Sequence, residues 1–186
     1  MTAPGNRQPF TTRSVEVVHD WTYSKLVTRE VASPDGEVFR RTYVDSPGAV
    51  AVVALTDEDE VVLVDQYRAT IDDYLVEIPA GMRDKSGEED LATAKRELEE
   101  ETGFRAREWR SLGRMLSTPG VSSGWVELYL ATGLESVGAT PEGPEELAMT
   151  VLRVKFDEAV RMCMKSEITD SKSVIAILRA ARLLGR

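Results

Sequence analysis

The stretch Arg96 to Phe104 reads Arg-Glu-Leu-Glu-Glu-Glu-Thr-Gly-Phe and sets Glu97, Glu99, Glu100 and Glu101 just before a glycine. The residues ahead of it have helical spacing. Ser86 and Glu89 are placed for a capping box, Leu91, Ala94 and Leu98 share one face, and Gly103 stands where a helix stops. The acids therefore crowd a C-terminal turn, the end at which the helix dipole favours cations. Two carboxylates about 6 Å apart repel by roughly 3 kcal/mol at an effective dielectric near 20. Such a helix needs a cation at that end, and oxygen donors with no His or Cys nearby point to Mg²⁺ or Mn²⁺. The plainer reading is a solvated acidic face. The helical wheel argues against it: Glu97 and Glu101 are i,i+4 neighbours flanking the apolar stripe, where an unpaired charge is costly. Glu99 points away and is expected in solvent.

Composition bounds the rest. At 186 residues with 42% hydrophobic content, the chain can bury one good core with a small appendage. No apolar run reaches the length of a membrane span, and residues 1–13 hold no apolar signal core, so a cytoplasmic protein is expected. The lone Cys163 excludes internal disulfides and reads as a buried thiol in a helix. The lone His19 leaves no room for a His-dependent triad or a His-rich zinc site. A formal charge of −9 argues against nucleic acid as a partner. An acidic protein acting on an anionic substrate must gather positive charge locally, from metal ions and a few arginines.

The pattern predicts a disordered leader over residues 1–13, an N-terminal β segment over 14–45 and a main domain over 46–186. Strands are expected at 15–18, 26–31 and 37–44, the last two joined by a Ser33-Pro34-Asp35-Gly36 turn. Three strands of this size need something to pack on. Further strands are expected at 49–55 (buried on both faces), 60–67, 74–78, 108–112, 125–131 and 149–154. A Gly/Pro/Glu-rich loop spans 133–146. Helices follow at 157–165 and 172–184, with Asp170 or Ser171 as the cap of the second. Mixed strands with few helices imply an α/β sandwich.

Glu88, seven intervening residues, then Arg96-Glu97-Leu98, Glu100-Glu101 and Gly103-Phe104 resembles the Nudix box of the Nudix hydrolases, which bind magnesium and cleave diphosphates linked to another moiety. The chain departs from the usual box in having six residues, not five, between Gly81 and Glu88; the extra one falls in an Asp-Lys-Ser-Gly turn, where insertion costs little. Pro119, sixteen residues after Gly103, resembles the marker of the ADP-ribose pyrophosphatase subgroup. The segments 47–52, Gln66-Tyr67-Arg68 and 77–81 resemble it too, so the similarity covers roughly residues 15–180.

The resemblance implies an α/β/α sandwich of mixed sheets with a small N-terminal antiparallel β segment. It also implies a homodimer in which that segment reaches over the other subunit's active site. The implied reaction is ADP-ribose plus water giving AMP and ribose 5-phosphate. Metal ligands would be Glu97, Glu101, Glu100 and the Ala80 carbonyl oxygen, with Arg96 orienting the glutamates and Glu88 pairing with it. Arg68 is the candidate diphosphate contact, since a planar guanidinium suits phosphate oxygens. Glu77 would bind the terminal ribose or a metal. The general base is expected from the loop Thr140 to Glu146, with Glu146 the first choice, Glu145 the second and Gly143-Pro144 a hinge. Trp21 and Tyr23 are candidates for adenine recognition. The alternatives are a pyrophosphatase for another nucleotide sugar (GDP-mannose or UDP-glucose) and a non-catalytic nucleotide-sugar sensor. The sensor ranks last, because a sensor could dispense with the acids that this chain retains.

Overall fold

Ser33 to Gly36 reverse the chain as their turn chemistry requires. Gly36 takes φ +93°, its N–H donates to the Ser33 carbonyl at 3.0 Å, and the Ser33 hydroxyl donates to the Asp35 carboxylate. The structure, a computed structural model, describes residues 8–140 and 143–186. It divides into two units, one of residues up to Pro47 with Thr118–Gly124, the other of Gly48–Ser117 with Trp125–Arg186.

In the first unit β1 (Thr11–Asp20), β2 (Lys25–Ala32) and β3 (Val38–Asp45) form an antiparallel sheet in that order. β1 begins at Thr11, inside the segment read as leader, because Thr11 and Thr12 pair with Ala32 and Val31. Residues 1–7 of that leader lie outside the described residues. The Pro119 segment is hooked onto β3: Val44 N–H donates to the Val121 carbonyl at 2.9 Å and Ser123 N–H returns to the Val44 carbonyl at 3.0 Å.

The second unit runs β4 (Ala49–Leu55), β5 (Glu60–Arg68), β6 (Asp73–Glu77), β7 (Ala80–Met82), α1 (Asp90–Thr102), β8 (Phe104–Leu116) and β9 (Trp125–Ser136). It closes with α2 (Gly143–Leu147), β10 (Thr150–Lys155), α3 (Phe156–Met164) and α4 (Ser171–Leu184). The sheet order is β10-β5-β4-β9-β8, with β6 on β5 and β7 on β4. β4 and β9 run parallel; the other neighbours are antiparallel.

The period of two along β4 sorts the core into two faces. Val50, Val52 and Ala54 pack with Ala94 and Leu98 of α1. Ala51 and Val53 pack with Phe156 of α3 and with Ala176, Ile177 and Ala180 of α4. The result is the expected α/β/α sandwich, with α1 covering one face and α3 and α4 the other. Cys163 is buried in the second cluster, and burial pushes its thiol up to about 11.

Several local expectations need correction. The Ser86–Glu89 capping box does not form. Glu89 is itself the N-cap and its side chain makes no capping bond, while Thr93 Oγ1 donates to Glu88 Oε2 at 2.9 Å. β8 and β9 are far longer than 108–112 and 125–131, because they pair with each other from Phe104↔Ser136 to Leu116↔Trp125 across a register shift at Ser111/Gly113. The loop expected from Gly133 therefore starts after Ser136. Asp170, not Ser171, caps α4, accepting the Ser173 N–H at 2.9 Å.

Candidate active site

α1 carries its acids at the margin of its buried stripe, and β7 runs against them. Glu97 is 7% exposed and Glu101 4%. Ala80 N–H donates to Glu101 Oε2 at 3.0 Å. At Gly81 any Cβ would stand 1.9 Å from the Glu97 carboxyl carbon, so strand and carboxylate are in direct contact. Burial raises the Glu97 pKa to about 7; Arg96 opposes the shift and the Glu100 charge adds to it. Burial likewise raises Glu101 to about 8. The Ala80 N–H partly offsets this, and the charges of Glu97 and Glu146 reinforce it. No cation forms an ion pair with Glu101 among the described residues.

Arg96 gathers the remaining acids. Its Nη1 meets Glu97 Oε1 and Glu100 Oε2, each at 2.7 Å, and its Nη2 meets Glu88 Oε2 at 3.2 Å and Asp84 Oδ1 at 3.1 Å. Burial works against the cation, but hydrogen bonds to Glu88 and Glu100 hold it more firmly protonated than usual. Asp84 belongs to the turn that carries the extra residue before Glu88, and the sequence reading missed it. Glu99 is not simply solvated: it faces away from Glu97 and Glu101 but accepts two bonds from Arg105, at 2.6 and 2.5 Å.

A hard divalent cation suits this donor set. Two buried carboxylates that repel each other, one of them without an ion-pair partner, are held beside a strand backbone. The four-donor set read from the sequence is not preassembled. Among the described residues no three acids converge as a metal cluster, and Arg96 Nη1 pairs with both Glu97 and Glu100.

On β5 and β6, Arg68 and Glu77 face each other. Arg68 Nε and Nη2 donate to the two Glu77 oxygens at 2.8 and 2.7 Å. Glu77 is 2% exposed and also accepts from Lys172 Nζ, which reaches Asp170 Oδ2 at 3.0 Å. Burial would raise the Glu77 pKa, but Arg68 and Lys172 together hold it below the usual carboxylate value. Lys172 was not anticipated. The available signal was a cation in the first turn of α4, the end that favours anions.

The loop glutamates take different environments. Glu146 is half-buried and close enough for its charge to help raise the Glu101 pKa. Glu145 is exposed, and its charge acts on Tyr67. Gly143 and Pro144, read as a hinge, form the first turn of α2, where proline's fixed φ is compatible with a helix. Pro141 and Glu142 lie outside the described residues. Trp21 and Tyr23 stand exposed between β1 and β2 of the first unit, Trp21 edge-on to His19.

The two units together have close counterparts among known proteins. The NUDIX domain model matches residues 45–174. A methanol dehydrogenase activator from Bacillus methanolicus is 39% identical over 82% of this chain and 82% of its own. An ADP-ribose pyrophosphatase from Mycobacterium tuberculosis is 38% identical over 91% of this chain and 82% of its own. A solved structure of an ADP compounds hydrolase superposes with a TM-score of 0.81 over 98% of this chain and 97% of that one; at 22% identity it speaks for the fold. With the domain matched across most of its length and the box acids buried where β7 meets α1, the chain belongs to the Nudix family.

Proposed function

We propose that this chain is a cytoplasmic, Mg²⁺-dependent hydrolase that splits the diphosphate of ADP-ribose into AMP and ribose 5-phosphate. The observation that carries the reading is the pair of buried carboxylates, Glu97 and Glu101, held against Ala80 and Gly81 and raised in pKa by lack of solvent. The similarity to the mycobacterial ADP-ribose pyrophosphatase supports the choice of substrate.

Glu97, Glu101, the Ala80 carbonyl and, once released from Arg96, Glu100 would hold the metal, with Mn²⁺ as the substitute for Mg²⁺. When bound, such an ion polarises phosphoryl oxygens and lowers the pKa of a bound water. Arg68 keeps its Nη1 group outside the Glu77 fork, and that group is offered to a diphosphate oxygen. Glu146 takes the proton of the attacking water. The water oxygen forms a new bond to one phosphorus as the bridging oxygen leaves with the other. Arg96 keeps Glu88 and Glu97 in register and orients Glu100 until the metal takes it, and Glu145 is the substitute base. Trp21 and Tyr23 supply aromatic faces for adenine.

A homodimer completes the reading. Val15, Val17 and Val18 of β1 are all exposed, an apolar run that a second copy would cover. Light scattering is expected to give twice the 20.6 kDa chain mass, and a monomer would refute the swapped arrangement.

The deciding experiment is a panel of ADP-ribose, GDP-mannose and UDP-glucose with Mg²⁺ or Mn²⁺, run on the wild type and Glu146→Gln side by side. ADP-ribose should be turned over fastest, and the variant should lose about 10²-fold or more in kcat with KM little changed. Preference for GDP-mannose or UDP-glucose would reassign the substrate, and an unaltered Glu146→Gln rate would move the base to Glu145. Similarity to the methanol dehydrogenase activator raises a second reading, action on another enzyme. It predicts that an alcohol dehydrogenase turns over faster when this chain is added, and no hydrolysis in the panel would favour it.

A further inference from the structure

The first turn of α4 is stitched to the end of β6 at two adjacent points. Ser173 Oγ, fully buried, accepts the Ile78 N–H at 2.9 Å, and Lys172 Nζ donates to Glu77 Oε2. Asp170 Oδ2 accepts from both residues, taking the Ser173 N–H at 2.9 Å and Lys172 Nζ at 3.0 Å. The Ile78–Ser173 and Glu77–Lys172 links each join residues 95 positions apart in sequence.

Lys172 is badly placed for an ordinary surface lysine. Its side chain is only 14% exposed, and it stands at a helix end that repels cations. What it gains there is Glu77. That carboxylate is shared by Arg68 on one side and Lys172 on the other, while Asp170 balances the second positive charge. Arg68 spends Nε and Nη2 on Glu77 and has no further hydrogen bond among the described residues, so its Nη1 edge remains for an anion. A carboxylate held by Arg68 alone could turn with the guanidinium whenever a diphosphate pulled on it. A second, nearly buried cation pins it in place.

We propose that Lys172 is a positioning residue for substrate: by fixing Glu77 it holds the Arg68 guanidinium in the pose that receives the diphosphate. The proposal rests on the reading of Arg68 as the diphosphate contact. Lys172 touches no substrate; it acts through Glu77 and Arg68.

The test compares Lys172→Met, Lys172→Arg, Arg68→Ala and the Arg68→Ala/Lys172→Met double variant. The readouts are kcat and KM for ADP-ribose and calorimetric titration with ADP, a diphosphate whose binding needs no turnover. Lys172→Met is expected to raise KM and the ADP Kd about tenfold with kcat within about threefold, the pattern of lost ground-state binding. Lys172→Arg should recover most of the loss. The double variant should bind no worse than Arg68→Ala alone, as expected when one residue acts only through the other. Wild-type ADP affinity in Lys172→Met, or losses that add in the double variant, would overturn the proposal. Should Lys172→Met fail to fold, Lys172→Ala, which removes the donor without setting a bulky apolar group beside Glu77, takes its place in the same comparison. The two readings separate cleanly. If Arg68→Ala binds ADP like the wild type, Arg68 is not the contact and both fall; if it loses ADP while Lys172→Met does not, only the role of Lys172 falls.

Discussion

Glu101→Gln is expected to remove Mg²⁺-dependent hydrolysis of ADP-ribose almost completely while making the metal-free protein more stable at pH 8. The two effects share one cause. Glu101 is 4% exposed, has the Ala80 N–H as its hydrogen-bond donor, and carries a pKa raised to about 8 by burial and by the neighbouring acids. A carboxyl group whose folded pKa lies above its unfolded value holds its proton more tightly in the fold. Its contribution to stability is complete below the unfolded value, near 4.5, and is lost as pH rises through about 8. Gln cannot ionise and can still accept from Ala80, so the variant escapes that loss, on the order of a few kcal/mol at pH 8. The same change deletes a charged oxygen donor, and a metal's several kcal/mol of transition-state stabilisation correspond to a rate loss of roughly 10³-fold. Thermal melts with and without Mg²⁺ at pH 6 and pH 8 measure the first effect, and AMP release measures the second. Wild-type melting should respond to Mg²⁺ more at pH 8 and the variant should not respond. A variant that hydrolyses ADP-ribose normally, or still gains stability from Mg²⁺, would remove Glu101 from the metal site.

What could be read from sequence here follows the range of the interactions. Glu97, Glu100, Glu101 and Arg96 sit within one and a half turns of a helix, so their spacing alone sets their faces, and Glu97 and Glu101 are buried beside Leu98 as the wheel requires. The burial of β4 on both faces was legible for the same reason, since seven apolar residues in a row leave no polar side. β8 hid its length because charged residues such as Arg105, Arg107 and Arg110 occupy its open positions and break the apolar alternation; only pairing with β9 reveals the full strand. Lys172 could not be linked to Glu77 from sequence. Their contact depends on how α4 returns across the sheet, and nothing local encodes that return. The capping box failed for a different reason. Gly87 takes φ +79° between Ser86 and the helix, so the chain turns there and leaves Ser86 outside the first helical turn.

Gly81→Ala should damage catalysis as a single methyl group rarely does. The added Cβ would lie 1.9 Å from Glu97 Cδ and 2.2 and 2.3 Å from its two oxygens, so the Glu97 carboxylate must move. That carboxylate is held on its other side by Arg96 Nη1 at 2.7 Å, and Arg96 in turn positions Glu88 and Glu100. Displacing it therefore disturbs the acid and the arginine that aligns its neighbours. A displacement of about 1 Å in such a constellation costs on the order of 10²-fold in rate. The backbone is not the problem, because Gly81 does not adopt a positive φ. The expected result is a protein with unchanged far-UV circular dichroism, kcat reduced about 10²-fold and a weakened response to Mg²⁺. Shortening the acid makes the test specific: in Gly81→Ala/Glu97→Asp the smaller side chain leaves room for the methyl, and part of the Mg²⁺ response should return relative to Gly81→Ala. Near-normal turnover in Gly81→Ala would show that Glu97 need not stay where β7 holds it. A double variant no better than the single would show that the methyl acts through the strand instead of through the carboxylate it touches.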